Sequence, residues 1–166
     1  YGSLGACCCR VRPPEVNAPH LAAYLGAVPS PDRFPQCPSV IGATTYELRF
    51  HQRQALQEWA AKDYRGILAH ATGSGKTVTA LHGATKLARY HKEHNRNFVL
   101  IVSVPYQVLA DQWSSSMGLF GMTPHRCYRS KAYWQNELRQ AIASLSLSDE
   151  PQFLALVVVN ATLKTQ

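Results

Sequence analysis

"ILAHATGSGKT" occupies residues 67–77, and its reading decides the fold. A mostly apolar run passes directly into a Gly-Ser-Gly turn and then into one lysine and one threonine. The apolar run predicts a short buried strand over "RGILAHA", and "KTVTALHGATKLARYHKEH" predicts a helix with Val78, Leu81, Ala84 and Ala88 along its apolar side. Strand, glycine loop and helix in that order are the context of a phosphate-binding loop. Gly73 and Gly75 have no Cβ, so the backbone there is free to adopt unusual φ and to approach a ligand closely. Successive N–H groups then form an anion nest backed by a helix N-terminus. In such a nest Lys76 reaches the β- and γ-phosphates and Thr77 offers its hydroxyl to Mg²⁺. The lysine is the larger lever. A helix terminus contributes about 0.3–1 kcal/mol toward an anion, against a gross figure of about 4 kcal/mol for an ammonium about 4 Å from one phosphate charge at an effective dielectric of about 20. The pattern G-x-x-x-x-G-K-[ST] is met except at its first glycine, where His70 stands.

Outward from this loop the chain alternates. Upstream, "ELRFHQRQALQEWAAK" places Leu48, Ala55, Leu56 and Trp59 at helical spacing. Downstream, "NFVLIVSV" (97–104) is almost wholly apolar and β-branched, the pattern of a parallel strand covered on both faces. "YQVLADQWSSSM" reads as a short helix and "HRCYRS" as a small strand. "KAYWQNELRQAIASL" is a helix with Trp134, Leu138, Ile142 and Leu145 on one side, and "FLALVVVN" (153–160) is a second buried strand. Alternating strand and helix predict an α/β fold with a parallel sheet. Residues 1–45 differ in texture. They hold seven of the ten prolines and read as a loop or linker segment, with "PHLAAYLGA" as a possible short helix.

Bulk composition narrows the class. The 166 residues are 46% hydrophobic and 16% charged, which fits one globular domain rather than a disordered chain. The formal net charge of +7 favours a polyanionic partner over an acidic surface. No apolar run approaches the ~20 residues that span a bilayer, so no membrane role is expected. Five cysteines, three of them consecutive (Cys7, Cys8, Cys9), with Cys37 and Cys127, give neither a disulfide framework nor a C-x-x-C zinc pair. Reduced thiols and a cytoplasmic location are expected. The abrupt Lys164-Thr165-Gln166 end and the absence of an initial methionine read as a fragment.

Three stretches together resemble the first motor domain of superfamily 2 helicases, in the group that includes the type III restriction enzyme helicase subunit and UvrB. They are "LRFHQRQA" (Leu48, Arg49, Phe50, His51, Gln52 and Ala55), "ATGSGKT" (Ala71 to Thr77) and "VPYQVLADQW" (Val104, Pro105, Leu109, Gln112 and Trp113). The resemblance covers about residues 46 to 165. It implies a P-loop, RecA-like fold that binds ATP and Mg²⁺ through Arg49, Gln52, Thr72, Gly73, Ser74, Gly75, Lys76 and Thr77, with Thr77 on the metal. Gln52 would read adenine, a task that suits a side-chain amide because it donates and accepts, and Arg49 would lie beside the base. It further implies nucleic-acid backbone contacts from Pro105, Tyr106, Gln107 and Thr162. DNA is the expected strand, with RNA open. A second motor domain is expected in the longer protein.

The carboxylates for hydrolysis are missing from view. "VVVNATL" resembles the strand and loop just before the motif that carries the magnesium-binding Asp-Glu pair; the rival reading makes it that motif itself, with Asn160 in place of aspartate. Asp149 and Glu150 precede a strand, the wrong end of an open α/β sheet for a ligand site. Residues 46–166 are therefore expected to be the N-terminal part of a helicase ATP-binding domain, cut before the Asp-Glu motif and nearly inert in hydrolysis when isolated. The alternatives are a non-catalytic nucleotide- or DNA-binding module and an unrelated P-loop enzyme.

Overall fold

The computed structural model describes residues 34–128 and 130–164. Ten elements run in the order β1 (Val40–Ile41), β2 (Thr44–Thr45), α1 (Phe50–Ala61), α2 (Lys76–Glu93), β3 (Phe98–Val104), α3 (Gln107–Gly118), β4 (His125–Cys127), α4 (Lys131–Leu147), β5 (Phe153–Val159) and α5 (Asn160–Lys164). Strands β3, β5 and β4 form one sheet in the spatial order β3-β5-β4, with both pairings parallel. Helices cover both faces, as a parallel sheet requires. This is an incomplete RecA-like α/β fold.

Strand alternation assigns each face. On β3, Phe98, Leu100, Val102 and Val104 join Val157 and Val159 of β5 beneath Leu81, Ala84 and Ala88 of α2 and Ala110, Trp113 and Met117 of α3. On the opposite face, Leu154, Leu156 and Val158 pack with Val99, Ile101 and Cys127 against Trp134, Leu138, Ala141 and Leu145 of α4. The expected α4 face is off by one position: Ala141 packs inward, whereas Ile142 is 43% exposed.

The two buried strands, four of the helices and the small strand fall where the sequence places them. Two expectations need correction. "RGILAHA" forms no strand, and Ile67 is 79% exposed. A strand is defined by its neighbours, and among the described residues none pairs with this stretch. The edge of β3 that faces away from β5 is likewise unpaired there. Between them lies an apolar groove of about 320 Å³, with Leu56, Trp59, Leu68, Leu100 and Trp113 in its walls. The second correction concerns the proline-rich segment, which ends in structure rather than linker. β1 and β2 pair antiparallel across a turn in which Gly42 takes φ +64, a left-handed value that favours glycine. The expected helix "PHLAAYLGA" and the Cys7–Cys9 run lie outside the described residues.

Helix α2 has 18 residues, about 27 Å, and a short connection returns the chain into β3. The helix therefore runs antiparallel to β3 and presents its N-terminus at the carboxyl end of the sheet, where open α/β folds place their ligands.

Candidate nucleotide-binding site

The loop forms because its residues permit backbone geometry that others resist. Gly73 has φ +79 and Gly75 has φ +84, both left-handed. Gly75 is also the N-cap of α2 and brings no side chain to satisfy the first-turn amides. Those N–H groups are the orphan donors from which an anion site is built. A Cβ at Gly73 would meet nothing within 4 Å, so the loop's outer side is open. The hydroxyl of Ser74 and Nδ1 of His70 are buried there without a hydrogen-bond partner. An open cradle, two unused polar atoms and uncapped amides fit a polyphosphate.

Lys76 lies in the first turn of α2. Its Nζ donates to the carbonyl oxygens of His70, at 2.9 Å, and Ala71, at 3.0 Å. The ammonium therefore closes the loop on itself. Thr77, the next residue, is half-buried in the same turn. Thr79 is fully buried, and its hydroxyl donates to Gly75 O at 3.0 Å, which fixes the loop's last carbonyl to the helix. Thr72 is exposed at the loop's start.

Helix α1 holds the loop from the outside. Gln52 is only 5% exposed. Its Nε2 donates to Ser74 O at 3.3 Å and Gly75 O at 3.4 Å, while its Oε1 accepts the Arg49 backbone N–H at 2.9 Å. His51, one residue earlier, places Nε2 3.2 Å from Ser74 O, and its ring meets that of His70 edge-on at 5.2 Å. The side chain of Arg49 is exposed beside this contact. Gln52 thus sits against the loop, with its amide engaged with backbone groups. His51, His70 and Thr79 help position the loop, a role that the motif reading did not give them. His51 belongs to the same motif stretch as Gln52, but nothing in the sequence gives its contact with Ser74 O.

The second set of expected residues lies at the carboxyl ends of the strands. Val104 and Val159 are in register, so the chain leaves β3 and β5 side by side. Ser103 Oγ donates to Asn160 Oδ1 at 2.6 Å and ties the two exits together. Pro105, Tyr106 and Gln107 follow β3 and are all exposed, Tyr106 by 70%. Thr162 is half-buried in α5 after β5. Leu109 and Trp113 pack into the core, as their helical spacing predicts.

The sequence profile described as "Type III restriction enzyme, res subunit" matches residues 45–158. The chain belongs to that family. Membership makes it an ATP-binding helicase-type domain, of a family that generally works with ATP and Mg²⁺. Two curated relatives, each described as an uncharacterized protein, come from Mycobacterium tuberculosis strains CDC 1551 / Oshkosh and ATCC 25618 / H37Rv. Each is 39% identical over 77 residues, which is 46% of this chain and 12% of the relative. The match thus spans about an eighth of those longer proteins. No solved structure matches the chain significantly. Among the described residues no helix is long and apolar enough to cross a membrane, and no group of three His, Cys, Asp or Glu side chains is placed to hold a metal.

Proposed function

We propose that this chain is the ATP-binding part of an ATP-dependent DNA helicase or translocase, and that the longer protein couples hydrolysis to movement along DNA. The observation that carries the reading is the "TGSGKT" loop at the N-terminus of α2, open outward and gripped from behind by Gln52 and His51. In this reading the amides of 73–77 and Lys76 Nζ bind the β- and γ-phosphates, and Lys76 exchanges its loop carbonyls for phosphate oxygens. Thr77 supplies a ligand to Mg²⁺, which neutralises phosphate charge when bound. Thr72 and Ser74 offer hydroxyls from the loop's rim and floor. Arg49 flanks the base, and Gln52 reads adenine only if its amide turns from the loop backbone toward the ligand.

Pro105, Tyr106, Gln107 and Thr162 then touch the DNA backbone at the carboxyl edge of the sheet, contacts that carry no base information. The net charge of +7 supports a polyanionic partner. Residues 1–45 precede the ATP-binding domain, and 46–166 form its N-terminal part. A second motor domain belongs to the longer protein in this reading. A cytoplasmic location, where thiols stay reduced, belongs to the same reading. Without an Asp-Glu pair at a strand's carboxyl end among the described residues, the 166-residue chain alone binds nucleotide weakly and hydrolyses it negligibly.

Calorimetry with Mg-ATP tests the reading. The intact chain gives a binding heat that Lys76→Ala abolishes while circular dichroism shows both folded. Equal heats for the two proteins would overturn the assignment.

A further inference from the structure

Away from the loop, three polar side chains converge on one nitrogen. Tyr46 Oη lies 2.9 Å from His82 Nδ1, and Cys37 Sγ lies 3.6 Å from the same atom. His82 is on α2, fewer than two turns from Lys76. Cys37 and Tyr46 belong to the segment that crosses α2 before α1 begins. That segment has two other anchors: Phe34 is buried in the core, and the Gln36 N–H donates to Phe120 O at 2.9 Å. The Tyr46 ring also packs edge-on to Phe120, with centroids 5.9 Å apart.

A hydroxyl and a thiol both donate to Nδ1 only when the imidazole is neutral and carries its proton on Nε2. A protonated ring carries hydrogen on both nitrogens, so Nδ1 no longer accepts from either group; it can donate to one of them, the other contact is lost, and the imidazolium charge is added to a partly buried site beside Lys86. We propose that Cys37, Tyr46 and His82 form a protonation-sensitive clasp that fastens residues 36–46 to α2, closed while all three are uncharged and opened when His82 gains a proton.

The charged groups nearby are Lys86 and Arg89, on the same helix; Phe120, from the end of α3, brings no charge. Burial lowers the His82 pKa, and Lys86 pushes it the same way. Burial raises the Cys37 thiol, against smaller lowering effects of Lys86 and Arg89. Burial, followed by Cys37, pushes the Tyr46 phenol up to about 12. Each environment thus favours the neutral form that the geometry needs. The sign follows from linkage. Below the ordinary imidazole value of about 6.5 the unfastened chain binds a proton that the fastened one resists, so the clasp is fully closed above that value and weakens as pH falls through the lowered one. The inference does not depend on what the loop binds.

Hydrogen exchange on the 166-residue chain, corrected for intrinsic rates, tests it. Between pH about 7.5 and about 5.5 the Gln36 and Tyr46 amides should lose about tenfold in protection, the scale of one net hydrogen bond, while β5 amides keep theirs. His82→Asn puts an untitratable amide oxygen near the Nδ1 position, and its protection should be independent of pH. Tyr46→Phe removes one donor and should bring protection at pH about 7.5 down toward the acid level. Equal protection of Gln36 and Tyr46 at both pH values in the native chain refutes the clasp, as does an equal acid loss in His82→Asn. If His82→Asn does not fold, unchanged protection in Tyr46→Phe refutes it.

Discussion

Gly75→Ala probes how the loop is held. The glycine has φ +84, and a Cβ built there lies 2.6 Å from Gln52 Nε2 and 3.8 Å from Gln52 Cδ. An L-residue in the left-handed region costs about 1–2 kcal/mol. The clash adds to this, because Gln52 is buried and its displacement stretches the bonds from Nε2 to Ser74 O and Gly75 O. Those bonds are long, so their loss contributes about 1 kcal/mol at the weak end of the usual range. Gly75→Ala alone should therefore cost about 2–3 kcal/mol. Gln52→Ala alone loses the same two bonds and the one that Oε1 accepts from the Arg49 N–H, for about 1–2 kcal/mol. In the double variant the clashing atom is gone and the shared bonds are lost once, so the total should fall short of the sum by about 1 kcal/mol. Urea unfolding of the four proteins measures this coupling. Additive costs, agreeing to within about 0.5 kcal/mol, would show that Gln52 does not restrain Gly75 and would refute the outside-grip account of the loop.

At Gly83, α1 packs against α2, and a Cβ there would meet Leu56 Cδ2 and Trp59 Cζ3 at 2.9 Å each. Gly83→Ala should destabilise by about 1–2 kcal/mol in thermal unfolding despite a helix-propensity gain of about 1 kcal/mol, because overpacking outweighs it; a raised melting temperature would contradict this packing. Tyr106→Ala should weaken binding of single-stranded DNA by about fivefold, through loss of the hydrogen bond from its exposed hydroxyl to a backbone phosphate. The salt dependence of binding should keep its slope, since a phenol neutralises no phosphate; a shallower slope would assign Tyr106 an electrostatic role instead.

The elements legible in the sequence are those whose burial leaves a continuous or periodic trace. β3 and β5 are covered on both faces, so nearly every residue is apolar. In α2, Leu81, Ala84 and Ala88 recur at helical spacing on the buried side. The stretch 67–70 carries the same trace and yet is no strand, because hydrophobicity records a demand for burial while pairing requires a neighbour at the right edge. β1 and β2 left no trace, being two residues each and exposed or half-buried. The site divides similarly. Gly73, Gly75, Lys76 and Thr77 form a pattern of local spacing, so the candidate loop can be read directly. The contact of Gln52 with Ser74 joins residues 22 apart, and that of Tyr46 with His82 joins residues 36 apart. Such meetings depend on how α1 and the preceding segment lie across α2, which no local pattern encodes.

The unpaired state of 67–70 changes what positions the loop. In a phosphate loop fed by a paired strand, the sheet fixes the loop's first half and the helix its second. Here the second half is fixed by Thr79 on Gly75 O, and the middle by Gln52 and His51 on Ser74 O. The first half, His70 and Ala71, is held to the helix by Lys76 Nζ. The same ammonium that would bind phosphate therefore braces the loop's entry. Drawing it toward a ligand removes that brace unless a strand beside 67–70 has taken over the task. Pairing of this stretch and release of Lys76 are thus linked, and a partner strand should raise nucleotide affinity without touching the ligand, by removing the cost of unbracing the loop.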